Sequence, residues 1–333
     1  MVRLKLWRHC GVDKVSDDFH AKVNQYFSWC KNNKQKPILD FYPEGYDLVA
    51  NNAWPFIQHC MDLYELEPTI VTADWHANYD CKTIKCQNFW MQTVPNPSLD
   101  FVKNIEKKFG HFIGRITWDR LVMHDLILKT PDDVIYTFWS SIQRAGFVMQ
   151  ALEKINNIYG FSSLKDYHSI IMHLPSTNTG LDLDVKHLTS YPENTLRLQN
   201  VYQKIFCDIV HETDINNNNC FYTEKTTRPI LFKTPFITMH GKGSLKSLKT
   251  IGFKTFDSWW PEHYDDFHGV QRLQEVCKVI NQIRKLDYDE IKTIAKEMED
   301  VLQYNQEYLL SREWQKKMHR LGVKFWYEDG NEF

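Results

Sequence analysis

Long apolar runs are missing from this chain. Nowhere do about 18 consecutive apolar residues occur, the length a helix needs to cross the hydrocarbon core of a bilayer. The opening stretch Met1-Val2-Arg3-Leu4-Lys5-Leu6-Trp7 carries no apolar segment of signal length, so the expected location is cytoplasmic. A basic excess is missing as well: 40 Lys and Arg stand against 42 Asp and Glu, a formal charge of -2. A protein that coats nucleic acid displaces counterions from phosphates with a positive surface, so this balance argues against that class while leaving room for a local basic patch. The eight cysteines are scattered, and the closest pair, Cys81 and Cys86, belongs to no CxxC set and has no histidines at zinc-finger spacing. They read as reduced thiols. Repeats and low-complexity tracts are lacking too; the four residues Asn216 to Asn219 are the one homopolymer and read as a loop.

What is present is globular: 43% hydrophobic and 25% charged residues over 333 positions, beyond the size at which one core usually keeps growing. Two domains, with room for a cleft, are the expectation. The 14% aromatic content fits a protein that stacks on rings of a base or sugar, and equally a core rich in large side chains.

Apolar runs alternate with helical spacing through the first third, which predicts parallel strands joined by crossover helices. Expected strands are Leu4 to Trp7, Pro37 to Phe41, Thr69 to Ala73 and Phe89 to Val94, with helices over Asp17 to Cys30 and Trp54 to Leu63 and another beginning at Ser98. A second unit opens near Gly110 with the strand His111 to Arg115 and the helix Trp118 to Leu128. Val134 to Tyr159 reads as one or two amphipathic helices, Ser169 to Leu174 and Phe206 to Val210 as strands, Thr223 to Phe232 as a helix, Pro235 to Met239 as a strand and Ser244 to Thr250 as a helix. Residues 263 to 318 read as two long helices with no further strand. The boundaries that follow are 1–105, 106–262 and 263–333, in an α/β fold.

The block from Phe206 to Phe256 carries the most chemistry. It contains Ile209-Val210-His211-Glu212-Thr213, Phe221-Tyr222-Thr223-Glu224-Lys225, Pro235-Phe236-Ile237 and Gly252-Phe253-Lys254-Thr255-Phe256. A Glu-Lys pair at a helix start sets a full positive charge beside the positive end of the dipole, which suits a diphosphate, and the carboxylate suits the hydroxyls of a ribose. Read bare, Thr223 and Glu224 are equally what a helix cap leaves in a sequence.

These strings resemble the donor-binding signature of the α-1,3-fucosyltransferase family and its GT-B relatives. There a Tyr-Val-Thr-Glu-Lys string follows a strand ending in Phe-Glu-Asn. The resemblance implies that Glu224 takes the ribose, Lys225 takes the diphosphate, Thr223 belongs to the same donor-binding turn, and Glu212 stands for the glutamate of Phe-Glu-Asn. Phe112-Ile113-Gly114-Arg115-Ile116-Thr117-Trp118-Asp119-Arg120-Leu121 resembles the strand, turn and helix that open the donor domain in that family. Arg115 then becomes the phosphate clamp and Arg120 a weaker candidate for it, the planar guanidinium fork matching phosphate oxygens. The likeness spans residues 108 to 260. The sequence departs from it in an Asn-rich loop after Glu212, in Thr213 where the family has Asn, and in Thr226-Thr227-Arg228-Pro229-Ile230 where the family has a helix of small residues. A group of virus and bacterial proteins with a Thr-Glu-Lys, Pro-Phe and Gly-Phe-Lys-Thr-Phe series is similar over the same span.

What the resemblance implies is a GT-B-like architecture of two Rossmann-like domains with a central cleft: an N-terminal acceptor domain, a C-terminal nucleotide-sugar domain, and last helices that brace both. The implied reaction is transfer of a sugar from a nucleoside diphosphate to an acceptor hydroxyl, inverting and metal-independent, with the sugar nucleotide as co-substrate and no resident cofactor. Such a transfer needs a base from the first domain. Strand ends offer Asp74 and His76, favoured here, and Glu44. The acceptor is a glycan, a small molecule or, in a virus-type variant, a hydroxylated base in DNA; a nucleotide- or glycan-binding protein without catalysis is the rival from another class. Asp182-Leu183-Asp184 is set aside as a loop pair. The group His263, Asp265, Asp266 and His268 has no standard metal-ligand spacing, and Gly241-Lys242-Gly243 is too short for a phosphate loop and reads as a strand-to-helix turn.

Overall fold

The computed structural model describes residues 2–6, 17–41, 47–49, 52–74, 77–86, 103–113, 116–138, 145–160, 198–212, 215–216, 222–323 and 331–332. They form an α/β fold built on two parallel sheets.

The first sheet contains β1 (Val2–Lys5), β2 (Ile38–Asp40), β3 (Thr69–Thr72), β4 (Lys82–Lys85) and β9 (Asn331–Glu332), in the order β4-β3-β2-β1-β9. Helix α1 (Asp17–Asn32) connects β1 to β2, and α2 (Trp54–Tyr64) connects β2 to β3. Phe19, Val23, Tyr26, Phe27 and Cys30 fall at helical spacing on one face of α1, and all are buried. Each such side chain taken out of water contributes about 1.5–3 kcal/mol. The hydroxyl of Tyr26 donates to the Val2 carbonyl at 2.9 Å and accepts from the Ile38 amide at 3.1 Å, so one ring ties α1 to two neighbouring strands. Every residue of β2 and β3 is buried, the mark of strands covered on both faces.

The second sheet contains β5 (Lys107–Ile113), β6 (Val134–Phe138), β7 (Ile205–His211) and β8 (Phe236–Met239), in the order β6-β5-β7-β8. From β5 the chain passes through α3 (Trp118–Ile127) to β6 on one side. After α4 (Ala145–Tyr159) and the single turn α5 (Gln199–Tyr202) it enters β7 on the other side of β5. This reversal makes the carboxyl ends of β5 and β7 a topological switch point, the place where open parallel sheets leave a crevice for ligands. Helix α6 (Glu224–Leu231) leads to β8, and α7 (Ser244–Ile251) follows it.

Four helices complete the second unit: α8 (Gly269–Lys285), α9 (Tyr288–Glu297), α10 (Glu299–Ser311) and α11 (Glu313–Arg320). Their buried residues, among them Ile283, Ile291, Met298, Leu309 and Trp314, belong to the same core as β5, β7 and β8. Helix α10 acts as a strut behind α6 and α7. Tyr308 and Tyr304, stacked at 5.6 Å, donate to the carbonyls of Ile251 and Gly252, and Gln306 donates to that of Leu231.

Several expectations change here. Val134–Phe138 is a strand, not the start of a helix, and the C-terminal region holds four helices where two were expected. A short strand, β9, follows them, beyond the span read as helical, and pairs with β1. Lys82–Lys85 forms an edge strand that the apolar pattern did not announce. The expected strands at 89–94 and 169–174 and the Asp182-Leu183-Asp184 pair lie outside the described residues.

Candidate functional site at the switch point

Glu212 leaves the carboxyl end of β7, and its side chain is fully buried. A lone buried carboxylate would be costly, and this one is matched by donors from the turn that starts α6. Oε1 accepts from the Thr223 amide at 2.9 Å, the Thr226 hydroxyl at 2.6 Å and the Thr226 amide at 3.3 Å, and Oε2 accepts from the Thr223 hydroxyl at 2.7 Å. Thr223 is the N-cap, and its hydroxyl also accepts from the Lys225 amide at 3.2 Å. The first-turn amides of 225 and 226 are therefore satisfied by the protein itself. These two N–H groups are not free for a phosphate: Glu212 and Thr223 cap the start of α6, and Lys225 is the part-exposed charge beside them.

The Lys225 side chain is 30% exposed, between the buried Thr223 and Thr226. Its ammonium lies 3.1 Å from the Thr223 hydroxyl, 3.4 Å from Glu224 Oε1 and 3.9 Å from Glu212 Oε2. Glu224 also lies 3.9 Å from the guanidinium of Arg228, one turn on. Burial works to raise the Glu224 carboxyl, but Lys225 and Arg228 outweigh it and hold the group below its ordinary value, so it is an ionised acceptor. Helix α6 forms despite the departure from small residues noted in the sequence, with Pro229 near its end and Thr226 to Leu231 all buried.

Helix α3 supports the end of β7 from the other side. The buried Arg120 donates to the carbonyls of Glu212 at 2.9 Å and His211 at 3.3 Å. Both bonds come from one nitrogen, Nη2, which ties α3 to the strand end that carries Glu212. Next to it, His211 donates from Nδ1 to Asp119 at 3.4 Å. Burial opposes the charge on Asp119, yet the His211 hydrogen bond and the Arg120 charge bring its carboxyl down to about 2. Burial pulls His211 itself below its ordinary value against the pull of Asp119. His111, on the neighbouring strand β5, packs against both His211 and His124, with ring centroids 4.9 and 5.8 Å away. Neither of its ring nitrogens has a hydrogen-bond partner among the described residues. Burial, with the charges of His211, His124 and Arg120 adding to it, pulls His111 well below its ordinary value.

Asp74, the other side-chain candidate within the described residues, stands just beyond the carboxyl end of β3 in the first sheet, where a strand-end acid was expected. It is 3% exposed, its amide is bonded to the Thr72 hydroxyl at 3.1 Å, and its charge is felt by the buried Tyr79. His76, Arg115 and Glu44 lie outside the described residues.

The neighbouring turn at Gly241-Lys242-Gly243 is not a phosphate cradle. Asp265 already occupies the start of α7, accepting from the Leu245 and Lys246 amides at 3.0 Å each and from the Ser244 hydroxyl at 3.0 Å, while the fully buried Arg272 pairs with it at 3.2 Å. Among the described residues no group of three or more His, Cys, Asp and Glu is placed to hold a metal ion, and His263 instead pairs with Glu275 at 2.8 Å.

Sequence reading missed Thr226, the Asp119–His211 pair and Arg228. Thr226 was visible only as a departure from the family string, and the Asp119–His211 contact joins residues 92 positions apart. Compared with known families and characterised proteins, the chain matches no family model and no curated protein.

Proposed function

We propose that the chain is a glycosyltransferase that binds a nucleoside-diphosphate sugar in its second unit and transfers the sugar to an acceptor hydroxyl. One observation carries this reading: the Thr223-Glu224-Lys225 turn, matched on its residues to the donor-binding string of the α-1,3-fucosyltransferases, lies at the carboxyl end of β7, at the switch point of a parallel sheet. There an ionised carboxylate, Glu224, and a part-exposed ammonium, Lys225, sit side by side at 3.4 Å, the pair that a ribose diol and a diphosphate require. In this reading Lys225, together with Arg115 from the segment after β5, neutralises the departing diphosphate, and the reaction is inverting and metal-independent. Asp74 or His76 of the first unit activates the acceptor, in a GT-B-like arrangement of the two units.

Incubation with radiolabelled GDP-, UDP-, CDP- and dTDP-sugars tests the proposal. Release or transfer of label from one of them, lost on Lys225→Ala, supports it. Binding without any turnover of the four selects instead the non-catalytic binding protein, and absence of binding removes the proposal.

A further inference from the structure

A charged cavity lies beside the amino ends of strands in the second sheet. It has a volume of about 440 Å³ and is lined by four lysines, Lys103, Lys233, Lys292 and Lys296, against one carboxylate, Glu299. Lys103 lies four residues before β5 and Lys233 three before β8, so the cavity opens at the amino ends of the strands, away from the switch point. The lysines arrive from three parts of the chain. Lys292 and Lys296 are one turn apart on α9, an arrangement in which like charges repel and the helix is weakened. Both are exposed, and neither makes an ion pair among the described residues. Lys233 adopts a left-handed backbone (φ 45°) in the turn after α6 and gives one hydrogen bond to Gln303 at 3.3 Å.

Lys103 is anchored. Its ammonium donates to the carbonyls of Tyr202 and Ile205 and to the Thr234 hydroxyl at 2.6–2.9 Å, so it has no free donor for a ligand. Burial brings it down to about 7, Cys207 and Asp208 oppose the shift, and the charge of Lys233 adds to it. The remaining lining includes Ile105, Ala295 and Leu302, and no aromatic ring on which a base could stack.

We propose that this cavity is an anion site for a compact phosphoryl-bearing ligand of two or more negative charges, held by Lys233, Lys292 and Lys296 and separate from the switch-point site. Ammonium groups bind phosphate as point charges from several directions, and clustering unpaired lysines around a concave surface is unfavourable until an anion fills it.

The test uses inorganic pyrophosphate as probe, titrated calorimetrically at constant ionic strength. The chain carries Lys225→Ala so that the switch point does not contribute. This variant is expected to bind pyrophosphate more tightly than inorganic phosphate, and adding Lys292→Gln and Lys296→Gln is expected to weaken binding at least tenfold. Because both lysines are exposed, circular dichroism is expected to show the same fold before and after the change. Three results overturn the proposal: no pyrophosphate binding in the Lys225→Ala chain, binding unaltered by the two glutamines, or equal displacement by sodium chloride and by phosphate at matched ionic strength.

Discussion

The carboxylate of Glu212 grips Thr223 twice, one oxygen on its amide at 2.9 Å and the other on its hydroxyl at 2.7 Å. A strand end and a helix start eleven residues apart are thereby fixed to one another, and the exposed charge of Lys225 is fixed with them. Replacing Glu212 with Gln keeps the shape and removes the charge that four donors share. Loss of charge-assisted bonds at a buried position costs about 2–3 kcal/mol. Urea unfolding is expected to show this loss, and Thr226→Val, which removes a single hydroxyl from the same carboxylate, is expected to cost about half as much.

His111 gives the fold an acid sensitivity. Its ring is fully buried and held well below the ordinary histidine value, so the folded chain keeps it neutral while the unfolded chain protonates it near pH 6.5. The stability it supports is complete above pH 6.5 and is lost as pH falls below that value. Between pH 7.5 and pH 5 the wild-type chain is expected to lose about 2 kcal/mol more than His111→Leu, which does not titrate there. Asp119, at about 2, enters only below pH 4, outside this window. Equal slopes of stability against pH in the two proteins would show that the ring is solvated.

The junction of α7 with α10 depends on a missing side chain. Gly252 ends α7 at φ 110°, and a Cβ there would stand 2.5 Å from the Tyr308 hydroxyl and 2.8 Å from the ring carbon that bears it. Tyr308 is bonded to the Ile251 carbonyl and has little freedom to withdraw. Gly252→Ala is expected to cost about 3 kcal/mol from backbone strain and overpacking together. Gly322→Ala, also at positive φ but in open space, is expected to cost about 1 kcal/mol, the strain alone. Thermal unfolding of the two variants separates these contributions.

How far the sequence announces this structure depends on where the signal for each element resides. Strand β7 is legible because all seven of its residues are buried and its apolar run is bounded by a polar loop. The start of α9 is legible in Asp287 and Glu290, which form a reciprocal capping box. Strand β4, Lys-Thr-Ile-Lys, has almost no apolar content because it lies at a sheet edge, where charges discourage pairing with other chains. The run Val134-Ile135-Tyr136 is too short for periodicity to tell a strand from a helix. The breaks at Met298 and Arg312 are marked by neither glycine nor proline, so four helices read as two. At the site, the string Thr223-Glu224-Lys225 could be picked out, but the work of Glu212 could not. A carboxylate that caps a helix from across a loop leaves no local spacing, and the same holds for Arg120, whose acceptors lie 91 and 92 residues away.

The central claim is that Lys225 meets the diphosphate of an activated sugar at the switch point. The most direct measurement is a thermal-shift screen against GDP-, UDP-, CDP- and dTDP-sugars, on the wild-type chain and on Lys225→Ala. A ligand present at 100 times its dissociation constant stabilises the folded state by about 2.7 kcal/mol. One nucleotide class is expected to raise the melting temperature of the wild-type chain and to leave Lys225→Ala unmoved, the unliganded variant melting close to the wild type because the side chain is part-exposed. A shift that survives undiminished in Lys225→Ala would contradict the claim.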